Sequence, residues 1–199
     1  MSESCVKQRD AIRQVQWLTL AWMSVEVGVA LAAAARARSV ALAGFGGDSA
    51  IEMLSAGTVL WRFQSQHPRA EAFATRLTAW LLLALAAFIA TASLYTLRTP
   101  SAGPQPSYMG MALLAIAALV MPWLGRRKRQ LAAAAGSAAL AADAGQSSLC
   151  AYMAWIALGG LLVNAFAHAP WADPAAALCL LPLVLRETQQ AWQGSHCCS

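Results

Sequence analysis

Glu26, Asp48, Glu52 and Asp143 stand inside long apolar stretches of this sequence. On insertion scales an acidic residue at the centre of a bilayer costs about 2.5–3.5 kcal/mol. The sequence places no lysine or arginine at a mid-span position to offset them. Asp48 and Glu52 are four residues apart, so a helix turns both to one side. Gln146 and Ser147 follow Asp143 at the third and fourth positions and share its helical face. They can add neutral oxygens or orient the carboxylate. Cys150, seven residues beyond Asp143, lies about 10 Å further along the axis and reads as a pathway or packing position. Several oxygen ligands at one level suit a divalent cation. Because a metal must compete with protons for such ligands, the same acids offer a proton route. The plainer alternative is that each acid is protonated and hydrogen-bonded between helices.

Depth follows from counting to the basic residues that flank the apolar blocks. Arg62 lies 14 residues from Asp48, Arg129 lies 14 from Asp143, and Arg13 lies 13 from Glu26. At 1.5 Å per residue each acid is expected roughly 20 Å from its anchor. Three helices would then carry acids at one level near the midplane.

The elements that must position these acids are membrane spans. The chain has 199 residues, 59% hydrophobic and 12% charged, too few charges to cover a soluble surface. Six spans are expected, at 15–35, 40–61, 77–97, 108–124, 131–166 and 171–185. The predicted fold is an all-α bundle of six transmembrane helices. A cytoplasmic N-terminus covers 1–14, the transmembrane domain 15–185, and a short His/Cys tail 186–199. The fifth block exceeds one span and should protrude. The sixth is short; Pro182 should kink it, and Asp173-Pro174 makes a helix start. Residues 101–106, with Gly103, Pro104 and Pro106, read as a loop. The first apolar stretch is too long for a cleavable signal and reads as a span.

Lys7, Arg9, Arg13, Arg62, Arg69, Arg76, Arg126, Arg127, Lys128, Arg129 and Arg186 fall on one side; Arg36, Arg38 and Arg98 fall on the other. The positive-inside rule makes both ends cytoplasmic, which requires an even number of spans. The net charge of +5 is spent on span ends and forms no face for nucleic acid. The five cysteines make no disulfide scaffold, and the adjacent Cys197 and Cys198 fit a reducing compartment. His196, Cys197 and Cys198 could capture a soft metal or belong to a lipidated tail. His67 offers a second metal position or an ordinary solvated histidine; His168 is an external loop residue. Gly44, Gly46 and Gly47 permit close helix packing, or alternatively a loosened helix beside the ion.

Two segments carry a family resemblance. SVALAGFGGDSAIEMLSAGTVLWRF, at 39–63, resembles the second helix of the cation diffusion facilitator (cation efflux) family, whose paired acidic positions fall on Asp48 and Glu52. ADAGQSSL, at 142–149, is similar to the fifth helix of that family and places its metal-binding Asp on Asp143 and its Ser on Ser147. The likeness is closest to a short membrane-only branch. The resemblance implies export of Zn²⁺ or a related divalent cation from the cytosol in exchange for protons, by alternating access and as a homodimer. Asp48, Glu52 and Asp143 would be ligands, Ser147 and Gln146 would assist, and Glu26 would relay protons or tune the site. The metal is then cargo, with no resident cofactor, and the chain is a multi-pass protein of the cell membrane. Ala139 stands where many members have histidine, which makes the site oxygen-rich. The family's soluble C-terminal domain is not expected in residues 186–199. A non-transporting membrane sensor or partner subunit is the alternative. An enzyme is not expected, since no span holds a histidine for a hydrolytic metal.

Overall fold

A computed structural model describes residues 3–64, 68–99 and 103–194, excluding some side chains near the ends, in the α2–α3 region and at the start of α5. Among the described residues there are six helices and no strand: α1 (Glu3–Ala37), α2 (Val40–Gln64), α3 (Pro68–Arg98), α4 (Tyr108–Ala135), α5 (Ala138–Ala167) and α6 (Ala172–Gly194). Among the described residues four segments are long and apolar enough to cross a membrane: Asp10–Ala37, Arg76–Arg98, Tyr108–Ala135 and Asp143–Ala167. That is consistent with a multi-pass membrane protein. The apolar run of α2 is interrupted by Asp48 and Glu52, and that of α6 ends at Arg186 and Glu187.

The outside of the bundle is apolar, and charged and polar side chains lie buried within its largely apolar core. Leu119 and Phe166 are 71% and 78% exposed, whereas Gln16, Glu26 and Lys128 are fully buried. Burial against water would arrange them the other way. Exposed Trp80 and Tyr95 lie 15 residues apart on α3, and exposed Tyr108 and Trp123 lie 15 apart on α4. Each pair separates its rings by about 22 Å along the axis, as aromatic residues at two bilayer interfaces would be.

Helix α2 packs against α1, α3, α5 and α6, so its acids lie within the bundle. It runs unbroken through Gly44, Gly46 and Gly47. A methyl on Gly46 would lie 3.0 Å from Ala30 Cβ of α1, and one on Gly47 would lie 2.6 Å from Leu85 Cδ1 of α3. Close packing is therefore their role, and no loosened helix is present. Helix α3 lies along α6, where Trp80 and Trp192 meet edge to face at 6.0 Å.

The expected single block at 131–166 is in fact two helices. Residues 131–135 complete α4, and the chain reverses at Gly136 and Ser137. Gly136 takes the left-handed conformation (φ 59°) and donates its N–H to Ala132 O; the Ser137 hydroxyl then accepts from Leu140 N. A left-handed glycine followed by a serine cap is a helix stop and start. Alanines on both sides hide it from a hydropathy count.

The opposite end is tied by Asp173. Its carboxylate reaches the N-terminus of α2, accepting from the Ser39 hydroxyl at 2.5 Å, Val40 N at 2.9 Å and Ala41 N at 3.4 Å. Asp173, in the first turn of α6, thus satisfies the free amides of another helix.

Candidate functional site

The site is built where four helices meet toward the α4–α5 turn. Asp143 stands in the second turn of α5, and Ser147 follows one turn later on the same face. The Ser147 hydroxyl donates to Glu52 Oε1 of α2 at 2.5 Å. From α4, Lys128 Nζ lies 3.0 Å from Asp143 Oδ2, 2.9 Å from Ser147 Oγ and 3.7 Å from Glu52 Oε1. From α1, Gln16 Nε2 donates to the same Asp143 Oδ2 at 2.8 Å. All five residues are buried. An ammonium has three hydrogens, and this one has three oxygens to face.

The network continues toward the α1–α2 turn. Asp48, one turn from Glu52, lies within hydrogen-bond reach of Glu187 on α6. Ser49 donates to Glu26 Oε1 at 2.6 Å, and the Cys150 thiol approaches the same oxygen at 3.8 Å. Gln16 and Glu26 are ten residues apart on α1, about 15 Å along the axis. The polar groups therefore form a buried column through the bundle.

The charge in this column does not balance. Glu26, Asp48, Glu52, Asp143 and Glu187 are five buried carboxyls, and Lys128 is the one buried ammonium among the described residues. Oxygens of four of these acids, Glu26 Oε2, Glu52 Oε2, Asp143 Oδ1 and Glu187 Oε1, are buried without a hydrogen-bond partner, as is Gln16 Oε1. Ionised oxygens in this state are expensive unless a proton or cation completes them.

The acids named from the sequence share this column but do not stand at one level. The count from Arg129 to Asp143 crosses the reversal at Gly136, so it does not measure depth. Lys128 lies seven residues before the end of α4, and Asp143 five after the start of α5, which sets them side by side. Asp143 bonds to Gln16, well below Glu26. Gln146 is half-buried and makes none of the network's hydrogen bonds. Among the described residues no three His, Cys, Asp or Glu side chains converge as around a metal ion. Asp48, Glu52 and Asp143 are stacked, and the Lys128 ammonium stands between the lower two.

The sequence alone assigns Lys128, Gln16, Ser49 and Glu187 no place in the site. Lys128 belongs to the basic run at 126–129, which reads as a cytoplasmic loop, and Glu187 falls beyond the expected sixth span. Helical spacing carries the missing signal. Met121, Leu124, Lys128 and Leu131 form one buried stripe, and Leu180, Val184 and Glu187 form another. His168 is the left-handed residue ending α5. His67, His196, Cys197 and Cys198 lie outside the described residues.

Compared with known proteins, the chain matches no family model and no curated protein.

Proposed function

We propose that this chain is a secondary transporter that exports a divalent cation, Zn²⁺ first among candidates, from the cytosol in exchange for protons. One observation carries the reading: five buried carboxyls against one ammonium, stacked through a bundle whose outside is apolar. Charges of this kind inside a membrane protein commonly mark an ion or proton path. In this reading all six helices span, with both ends cytoplasmic.

Glu52 and Asp143 supply the first ligands, with Ser147 between them, and Asp48 is the next acid along the path. Asp48–Glu187 and Glu26 hold and pass protons. Gln146 assists only if it turns inward. The resemblance of 39–63 and 142–149 to the cation efflux family supports the same assignment of Asp48, Glu52 and Asp143. The donors are oxygens, so the reading is of a divalent cation first and of zinc second.

The test is metal uptake into proteoliposomes under a pH gradient, with a panel of divalent ions. Wild-type chain should accumulate metal, and Asp48→Ala and Asp143→Ala should not. Intact uptake in both variants would sink the proposal. A second reading, a metal-binding sensor or partner subunit without transport, draws on the ion pair that already neutralises Asp143. It requires stoichiometric binding with no flux.

A further inference from the structure

We infer that the Lys128 ammonium is a built-in competitor for the transported cation, holding the place between Asp143 and Glu52 that the ion must take. This rests on the cation-transport reading and specifies how its site is emptied and filled.

The geometry is that of a bound cation. Three oxygens from α2 and α5 surround Nζ at 3.0, 2.9 and 3.7 Å. Two of those residues, Glu52 and Asp143, are acids already assigned to the ion. Each keeps a second buried oxygen without a hydrogen-bond partner, and the one side-chain oxygen of Gln16 beside them has none either. The cradle therefore holds more oxygen than one ammonium uses. An ammonium and a divalent ion cannot share it, since like charges a few ångströms apart in a buried site repel strongly.

Lys128 is also built to leave. Its charge sits on a flexible four-carbon stem, so the ammonium can withdraw while the α4 backbone stays. Arg126, Arg127 and Arg129 on either side are exposed, and Lys128 alone of this basic run is turned inward. With the lysine in, the unloaded site retains a counter-charge. With the metal in, the lysine is out. Such a competitor lowers affinity and helps release.

The experiment is calorimetric titration of Zn²⁺ into the full-length chain in detergent at fixed pH. The relevant binding class is the one lost in Asp143→Asn, which separates it from any thiol binding in the tail. Lys128→Met should tighten that class by roughly tenfold or more, and Lys128→Arg should not tighten it. Unchanged or weaker binding in a folded Lys128→Met overturns the inference while leaving the transport reading intact. Absence of any Asp143-dependent binding in wild-type chain sinks both. Should Lys128→Met not fold, Lys128→Ala with added n-propylammonium decides. The amine should weaken Zn²⁺ binding where n-propanol does not, and equal effects overturn the inference.

Discussion

Lys128 and Asp143 form a buried ion pair at 3.0 Å that joins the two arms of the α4–α5 hairpin. Breaking such a pair from one side leaves an uncompensated charge and costs about 3–5 kcal/mol. Lys128→Ala and Asp143→Ala should each lower the thermal midpoint in detergent markedly. Lys128→Met combined with Asp143→Leu should recover most of the loss, because both charges leave together. A double variant no more stable than its worse parent would show that the pair does not act as a unit. If Lys128 competes with cargo, added Zn²⁺ should also stabilise Lys128→Met more than wild type, by mass action on the folded state.

The hydroxyl of Ser147 lies between Lys128 and Glu52, accepting from the ammonium and donating to the carboxylate. Hydrogen bonds to charged groups contribute about 1.5–3 kcal/mol. Ser147→Ala keeps the β-carbon and removes both bonds. It should lower stability by about 1–3 kcal/mol and weaken Zn²⁺ binding, whereas Ser148→Ala, on the neighbouring residue, should leave binding unchanged. Equal binding in the two variants would remove Ser147 from the site.

Much of this site could be read from the sequence, because cost and spacing are local properties. Asp48 with Glu52, and Asp143 with Ser147, are one helical turn apart within apolar stretches long enough for a helix. What could not be read depends on where the chain turns. Gly136 and Ser137 lie within an alanine-rich run whose hydropathy does not change across the reversal. Missing that turn misplaced Asp143 in depth and left Lys128 in a loop. Glu187 was missed because α6 continues past its apolar run to Gly194. The aligned count of three arginine-to-acid distances was a coincidence of numbers in one case, since the chain between Arg129 and Asp143 is a hairpin.

Two adjacent glycines on α5 allow a matched test of the packing. A methyl on Gly160 would lie 2.4 Å from Ala176 Cβ and 3.1 Å from Ala172 O of α6, neither of which can swing aside. A methyl on Gly159 meets nothing within 4 Å. Gly160→Ala should destabilise by about 1–3 kcal/mol through overpacking. Gly159→Ala should be neutral or stabilising by up to about 1 kcal/mol, from helix propensity. Thermal unfolding of the two variants measures the difference, and equal midpoints would mean that α5 and α6 are not this close.

Asp173 is a buried acid outside the column, and its role should separate from theirs. It holds Ser39, Val40 and Ala41 at the start of α2. Asp173→Ala should cost about 1–2 kcal/mol, as loss of a cap does, and leave Zn²⁺ affinity unaltered. Loss of binding in a folded Asp173→Ala would instead tie the two ends of α2 together functionally.

Glu187 brings α6 into the column beside Asp48. Glu187→Gln keeps a polar side chain of the same size beside Asp48 but removes a group that can take up and release a proton. Stability and Zn²⁺ binding at Asp143 should therefore persist, since neither depends on ionisation of Glu187. Proton-driven uptake in proteoliposomes should fall by roughly tenfold, because an intramembrane acid on the path carries the exchange. Glu187→Leu removes the hydrogen bond as well and should lower stability in addition. Full uptake in Glu187→Gln would confine the proton path to Asp48 and Glu26 and reduce Glu187 to a fixed hydrogen-bond donor.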